Sequence, residues 1–108
     1  MEWIELVSVE QLESLRKGSF EKPKIIFKHS TRCSISVMAK NRLERSQTPP
    51  HVDFFYLDLL QYRSISDLIA ESFNVHHQSP QVLLIVDGEC VYEETHNAIS
   101  MEDIQTQL

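Results

Sequence analysis

The stretch Lys24-Ile25-Ile26-Phe27-Lys28 is continuously apolar between its two lysines. A strand wetted on one face alternates apolar and polar residues, so an unbroken apolar run reads as a strand covered on both faces. The next two segments narrow the fold further. Ser34 to Arg45 has helical spacing, with Ile35, Met38, Ala39, Arg42 and Leu43 expected on its inner face, and Thr48-Pro49-Pro50 ends it. Val52 to Asp58, containing Phe54, Phe55, Tyr56 and Leu57, reads as a second strand. Strand, helix and strand make a βαβ unit with parallel strands and a right-handed crossover.

The flanking segments complete an α/β pattern. Ser8-Val9-Glu10-Gln11 has the form of a capping box, and Val9, Leu12 and Leu15 lie at helical spacing up to Gly18. Trp3 to Leu6 either adds an edge strand or covers the core. Ser64 to Phe73 predicts a third helix, capped by Ser64, with Leu68, Ile69 and Phe73 as its apolar stripe. Asn74 to Ser79 is a polar loop. Gln81 to Val86, the turn Asp87-Gly88 and Glu89 to Glu93 predict a hairpin. Ser100 precedes a short helix over Met101 to Leu108, with Ile104 and Leu108 inward. The order is α-β-α-β-α-β-β-α, a central mixed β-sheet flanked by helices. No linker interrupts residues 1–108, so a single domain is expected.

Charge and cysteine usage bound the function. A net charge of −6 argues against general nucleic-acid binding, which needs a basic patch, and against docking to an anionic membrane. No apolar run approaches the roughly 20 residues of a spanning helix. The start, Met-Glu-Trp-Ile-Glu-Leu, is acidic and broken by charges, unlike a signal peptide, so a cytoplasmic protein is expected. Two cysteines far apart do not form a disulfide framework, and free thiols are the expected state.

Cys33 falls where the first strand hands over to its helix. A helix N-terminus carries unpaired N–H groups and a partial positive charge, which favour thiolate, the reactive form. Lys28, His29 and Arg32 nearby would add to this if they approach the sulfur. The alternative is a small buried hydrophobe. Ser36 stands where a dithiol protein would carry its second cysteine, so Cys33 has no resolving thiol at that spacing. The Ser36 hydroxyl is placed either to bond the sulfur or to satisfy a backbone group of the first helical turn. Cys90, within the hairpin, reads as a packed structural cysteine. His29 is a candidate orienting group, whereas His76, His77 and His96 read as loop or surface residues. Neither Cys-x-x-Cys nor His-x-x-x-His is present, and no metal site is expected. A strand-to-helix cysteine, with Ser79-Pro80 and an apolar strand about fifty residues later, suggests a thioredoxin-like redox protein. In that topology the proline is cis and lies beside the reactive sulfur, with the Ser79 backbone facing an extended substrate.

Phe27-Lys28-His29-Ser30-Thr31-Arg32-Cys33-Ser34-Ile35-Ser36 resembles the signature of the YtxJ-like monothiol bacilliredoxins, Phe-Lys-His-Ser-Thr-x-Cys-Pro-Ile-Ser. His77-Gln78-Ser79-Pro80-Gln81 is similar to their proline-loop motif, and Asp87-Gly88 and Thr95-His96 fall at corresponding places. The resemblance covers essentially the whole chain. It implies a thioredoxin fold and reduction of mixed disulfides between protein cysteines and bacillithiol. Cys33 would be the nucleophile, Thr31, Arg32, Ser34, Ser36 and His29 its supporting residues, and Ser79-Pro80 the substrate loop. Bacillithiol would be a low-molecular-weight co-substrate rather than a bound cofactor, and the partners S-thiolated proteins. Ser34 departs from the usual proline and restores an N–H facing the sulfur. The rival reading is a non-catalytic binding or redox-sensing module of a stress response. Cluster binding by monothiol glutaredoxins accompanies Cys-Gly-Phe-Ser, which Ser34 and Ile35 do not match.

Overall fold

A computed structural model describes residues 1–108. The elements are β1 (Trp3–Glu5), α1 (Val9–Gly18), β2 (Lys24–His29), α2 (Ser34–Arg45), β3 (Asp53–Asp58), α3 (Arg63–Ser72), β4 (Gln81–Val86), β5 (Glu89–Thr95) and α4 (Met101–Thr106). A 3-10 turn, His96–Ala98, joins the last two. The five strands form one sheet in the order β1-β3-β2-β4-β5. β1, β3 and β2 are parallel, and β4 and β5 run antiparallel to their neighbours.

All six residues of β2 are buried, as its apolar run demanded. Its alternation sends Ile26 to one face and Ile25 and Phe27 to the other. Ile26 joins Phe55, Leu57, Leu83 and Ile85 against Leu12 and Leu15 of α1 and Ile65 and Ile69 of α3. Ile25 and Phe27 join Phe54, Val82 and Leu84 against Ala39 and Leu43 of α2 and Met101 and Ile104 of α4. Two cores thus sandwich the sheet, and the helices pair off one couple to each face.

Local signals act much as elementary chemistry requires. Ser8 Oγ accepts the Gln11 N–H at 3.1 Å, while the Gln11 side chain takes the N–H of Val7, one residue before the cap. Ser100 Oγ accepts the Asp103 N–H at 3.1 Å. Asp87 and Gly88 have φ of 52° and 78°, the left-handed pair that a two-residue hairpin turn uses. The turn is seated on the end of α1, because Ser19 Oγ accepts the Gly88 N–H at 2.8 Å. Trp3–Glu5 is an edge strand, and Leu6 extends it by donating to the Tyr56 carbonyl at 2.9 Å.

Four sequence expectations need correction. α3 begins at Arg63 with Tyr62 as its cap, not with Ser64. Asp58 is the reason: its carboxylate takes the Leu60 N–H and its carbonyl the N–H groups of Gln61 and Tyr62, so the chain turns early. The buried face of α2 is Ser36, Ala39 and Leu43, while Ile35 and Met38 are exposed. Positions 36, 39 and 43 share one face at helical spacing, which turns 35 and 38 toward solvent. β5 runs on to Thr95, with a register shift opposite Leu84 and Ile85 that leaves Val91 exposed. α4 ends at Thr106, so Leu108 is exposed rather than inward.

Candidate active site

β2 delivers the chain to the site. Beyond His29 it turns through Ser30, Thr31 and Arg32, and the Cys33 N–H closes the turn on the Ser30 carbonyl at 3.1 Å. Cys33 is the N-cap of α2, with extended φ and ψ of −102° and 120°, and its carbonyl accepts the Val37 N–H at 3.0 Å. The N–H groups of Ser34, Ile35 and Ser36 have no backbone carbonyl to bond, as in any first helical turn. A cap side chain is the group best placed to meet them. Cys33 makes no side-chain cap bond, is half-buried and carries a free thiol.

Ser36 resolves the choice left open by its position. Its fully buried Oγ accepts the Ser30 N–H at 3.0 Å and lies 2.7 Å from His29 Nδ1. The hydroxyl therefore braces the Cys33 turn through the backbone and makes no bond to the sulfur. The His29 ring is fixed in turn by stacking on Phe27, with centroids 5.6 Å apart, and by the edge of Tyr56. Burial, reinforced by the Lys40 charge, lowers the His29 pKa below its usual 6.5, with Asp58 and Glu44 opposing. The imidazole is therefore neutral at ordinary pH and paired with Ser36. Thr31, Arg32 and Ser34 surround the turn, Thr31, Arg32 and Ser34 all being open to solvent.

The proline loop arrives from β4. The Ser79–Pro80 peptide is cis. Gln81 stands opposite Lys28, which puts this peptide at the end of the sheet from which the Cys33 turn departs. Ser79 Oγ is buried without a hydrogen-bond partner. The loop is held by Gln81, whose Nε2 donates to the His76 carbonyl at 3.0 Å.

Lys28 is not where a sulfur-facing cation would be. Its side chain lies on the opposite face of β2 from His29, fully buried, with Nζ donating to the Ser66 carbonyl at 3.1 Å and lying 3.2 Å from His77 Nδ1. His77, read from sequence as a plain loop residue, is thus tied to the central strand. The available signal was a lysine inside a strand buried on both faces, where an ammonium must find acceptors. His96 has φ of 54°, donates its N–H to the Pro80 carbonyl at 3.0 Å, and offers its own carbonyl to Arg42.

Cys90 is remote. It pairs with Ile85, which lies opposite Lys24, four residues back along β2 from Lys28. That is about 13 Å of strand, well beyond the roughly 7 Å between Cα atoms that a disulfide tolerates. Its thiol donates to the Tyr92 carbonyl at 3.3 Å, and burial raises its pKa. No group of three or more His, Cys, Asp or Glu side chains is gathered to hold a metal ion.

Comparison with known proteins agrees with this geometry. Residues 4–104 match the family model described as monothiol bacilliredoxin BrxC. A solved structure described as a proposed oxidoreductase with a thioredoxin fold superposes with a TM-score of 0.85 at 33% identity, covering 95% of this chain and 90% of the other. Thioredoxin from Trypanosoma brucei brucei superposes with a TM-score of 0.79 at 15% identity, over 98% and 88% of the two chains. Malassezia sympodialis thioredoxin does so at 0.76 and 16%, over 98% and 87%. The two thioredoxins establish the fold. With the family model spanning nearly its full length, this chain belongs to the monothiol bacilliredoxins, redox proteins built on the thioredoxin fold.

Proposed function

We propose that this protein reduces mixed disulfides between protein cysteines and bacillithiol, with Cys33 as the nucleophile. The observation that carries the reading is Cys33 as the open cap of α2, with Ser36 committed to the turn and Cys90 out of reach. A site so built has one thiol and no internal partner to resolve it.

The reaction balances with one cysteine. The Cys33 thiolate attacks the bacillithiol sulfur of the mixed disulfide, forming a new S–S bond as the client S–S bond breaks. The client leaves as thiolate and takes up a proton from solvent. Cys33 is now bonded to bacillithiol. A second bacillithiol thiolate attacks the bacillithiol sulfur of that bond, returning Cys33 as thiolate and releasing oxidised bacillithiol. One disulfide is exchanged for another: the client sulfur is reduced to thiol, and the sulfur of the incoming free bacillithiol is oxidised by the same amount. The first-turn N–H groups of Ser34, Ile35 and Ser36 lack backbone carbonyls and follow directly on the cap residue that carries the sulfur. Ser79, which begins the cis peptide, is suited to pair through its backbone with an extended client segment, and Thr31, Arg32 and Ser34 form the rim it meets. Such chemistry belongs in a reducing compartment such as the cytoplasm.

Steady-state release of bacillithiol from a blocked client, with free bacillithiol as reductant, tests the proposal. Wild type and Cys90→Ala are expected to turn over alike and Cys33→Ser not at all. Turnover by Cys33→Ser would refute the assignment.

A further inference from the structure

Of the two lysines in β2, Lys24 is paired with Asp53, but Lys28 is fully buried with no carboxylate bonded to it. Its acceptors are neutral: the Ser66 carbonyl of α3 at 3.1 Å and His77 Nδ1 at 3.2 Å. Ser66 Oγ, also buried, lies 3.3 Å from the same ring nitrogen. Keeping an ammonium in such a place is costly, and an apolar side chain would serve packing better. The bond it makes is to a loop residue two positions before Ser79, the residue that begins the cis peptide. Lys28 also lies on the strand that leads to Cys33. One side chain therefore links the nucleophile's strand to the substrate loop.

We propose that Lys28 is a positioning residue, which through His77 holds the Ser79–Pro80 loop in the geometry that engages the client's backbone. This rests on the reading of Ser79–Pro80 as the client-facing loop. The donor-acceptor pairing also fixes the imidazole. Lys28 has only hydrogens to offer, so His77 Nδ1 is the bare acceptor and Nε2 carries the proton. Protonation of His77 sets two donors face to face and breaks this tether, leaving the loop to its bonds with Gln81. The groups facing His77 are Lys28 from β2, Arg63 and Asp67 from α3, and His76 from its own loop. Burial and then Lys28 lower its pKa from 6.5, with Asp67 opposing, so the tether holds at neutral pH and fails in acid.

The test compares Lys28→Met, His77→Ala and His77→Asn with wild type in turnover of a bacillithiol-blocked protein, from pH 5 to 8. A hydrogen bond from a charged donor is worth about tenfold or more in an equilibrium. Lys28→Met and His77→Ala are expected to raise KM for the client about tenfold with kcat within about twofold. Wild-type KM should climb as pH falls through the His77 titration, and both variants should lose that climb. His77→Asn, an acceptor that does not titrate, should restore a low KM without the acid rise. Nitrogen NMR of wild type should show His77 as the Nε2–H form with Nδ1 accepting, a state lost in Lys28→Met. Unchanged KM and pH profile in Lys28→Met, or in His77→Ala if the first variant does not fold, would overturn the positioning role alone. A wild type inert toward every blocked client would overturn the proposed reaction and this role with it.

Discussion

Replacing Ser36 with alanine removes one oxygen and strands two polar groups. The Ser30 N–H loses its acceptor at 3.0 Å, and His29 Nδ1 loses its partner at 2.7 Å. His29 is buried, so its nitrogen has little water to turn to, whereas Ser30 is half-buried and recovers part of its loss. A buried polar group left unpaired costs about 1–3 kcal/mol, so the pair should cost about 2–4 kcal/mol. Ser34→Ala is the control: it lies one helical position past the cap, is exposed, and makes no side-chain hydrogen bond. It should stay within about 0.5 kcal/mol. Equilibrium unfolding in urea measures both, and an unchanged m-value shows that the denatured ensemble is the same. Amide exchange at Ser30 reads the turn directly and should accelerate in Ser36→Ala. A stability loss under about 0.5 kcal/mol, with the Ser30 amide still protected, would refute the role of Ser36 as the brace of the Cys33 turn.

Lys28 gives a pH signature independent of catalysis. Burial lowers its pKa from 10.5 to about 8, with Asp67 opposing. Because the folded value is the lower one, the unfolded chain holds the proton more tightly, and stability should rise with pH between about 8 and 10.5. The shift corresponds to about 3 kcal/mol. Lys28→Met should therefore be at least as stable as wild type at pH 7, and the wild type should gain on it as pH is raised toward 10. Urea titrations at pH 7 and pH 10 check the sign. Cys90→Ala should cost about 1 kcal/mol for a half-buried small side chain. In the folded wild type at pH 7, iodoacetamide should leave Cys90 unmodified until the chain is unfolded, as peptide mass mapping would show. Gly88→Ala meets both a φ of +78° and Phe20 Cζ at 2.9 Å from the new methyl. Phe20 is exposed and yields, so the backbone sets the loss at about 1–2 kcal/mol, read by thermal or urea unfolding.

Much of this architecture is legible in the chain because the signals are local. Ile25 to Phe27 announce a doubly buried strand, Asp87-Gly88 can hardly be anything but a tight turn, and Ser8 and Ser100 mark their helix starts by accepting N–H groups three residues on. The errors arise where a tertiary partner decides. Ser64 is a good cap, but the Asp58 carboxylate turns the chain before it is reached. Ile35 and Met38 have the right polarity for an inner face, yet Ser36 and Ala39 lie on the face that the fold buries, Ser36 held there by its bonds to Ser30 and His29. The candidate site divides in the same way. Cys33 and Ser79-Pro80 stand out by their place relative to strands. The bond between Lys28 and His77 spans 49 positions in the sequence and needs the folded loop to be seen. Ser36 stands out for the cysteine it replaces, whereas its bonds to Ser30 and His29 exist only once the turn has formed.

The central claim is that Cys33 takes the small thiol and leaves the client free. Intact mass of the reduced protein after a single turnover with a bacillithiol-blocked client, with no free thiol present, tests it most directly. The account predicts one bacillithiol added to the wild type, located on Cys33, a client with its thiol restored, and no change in Cys33→Ser. A protein joined by disulfide to the client with bacillithiol released, or bacillithiol carried on Cys90, would contradict it.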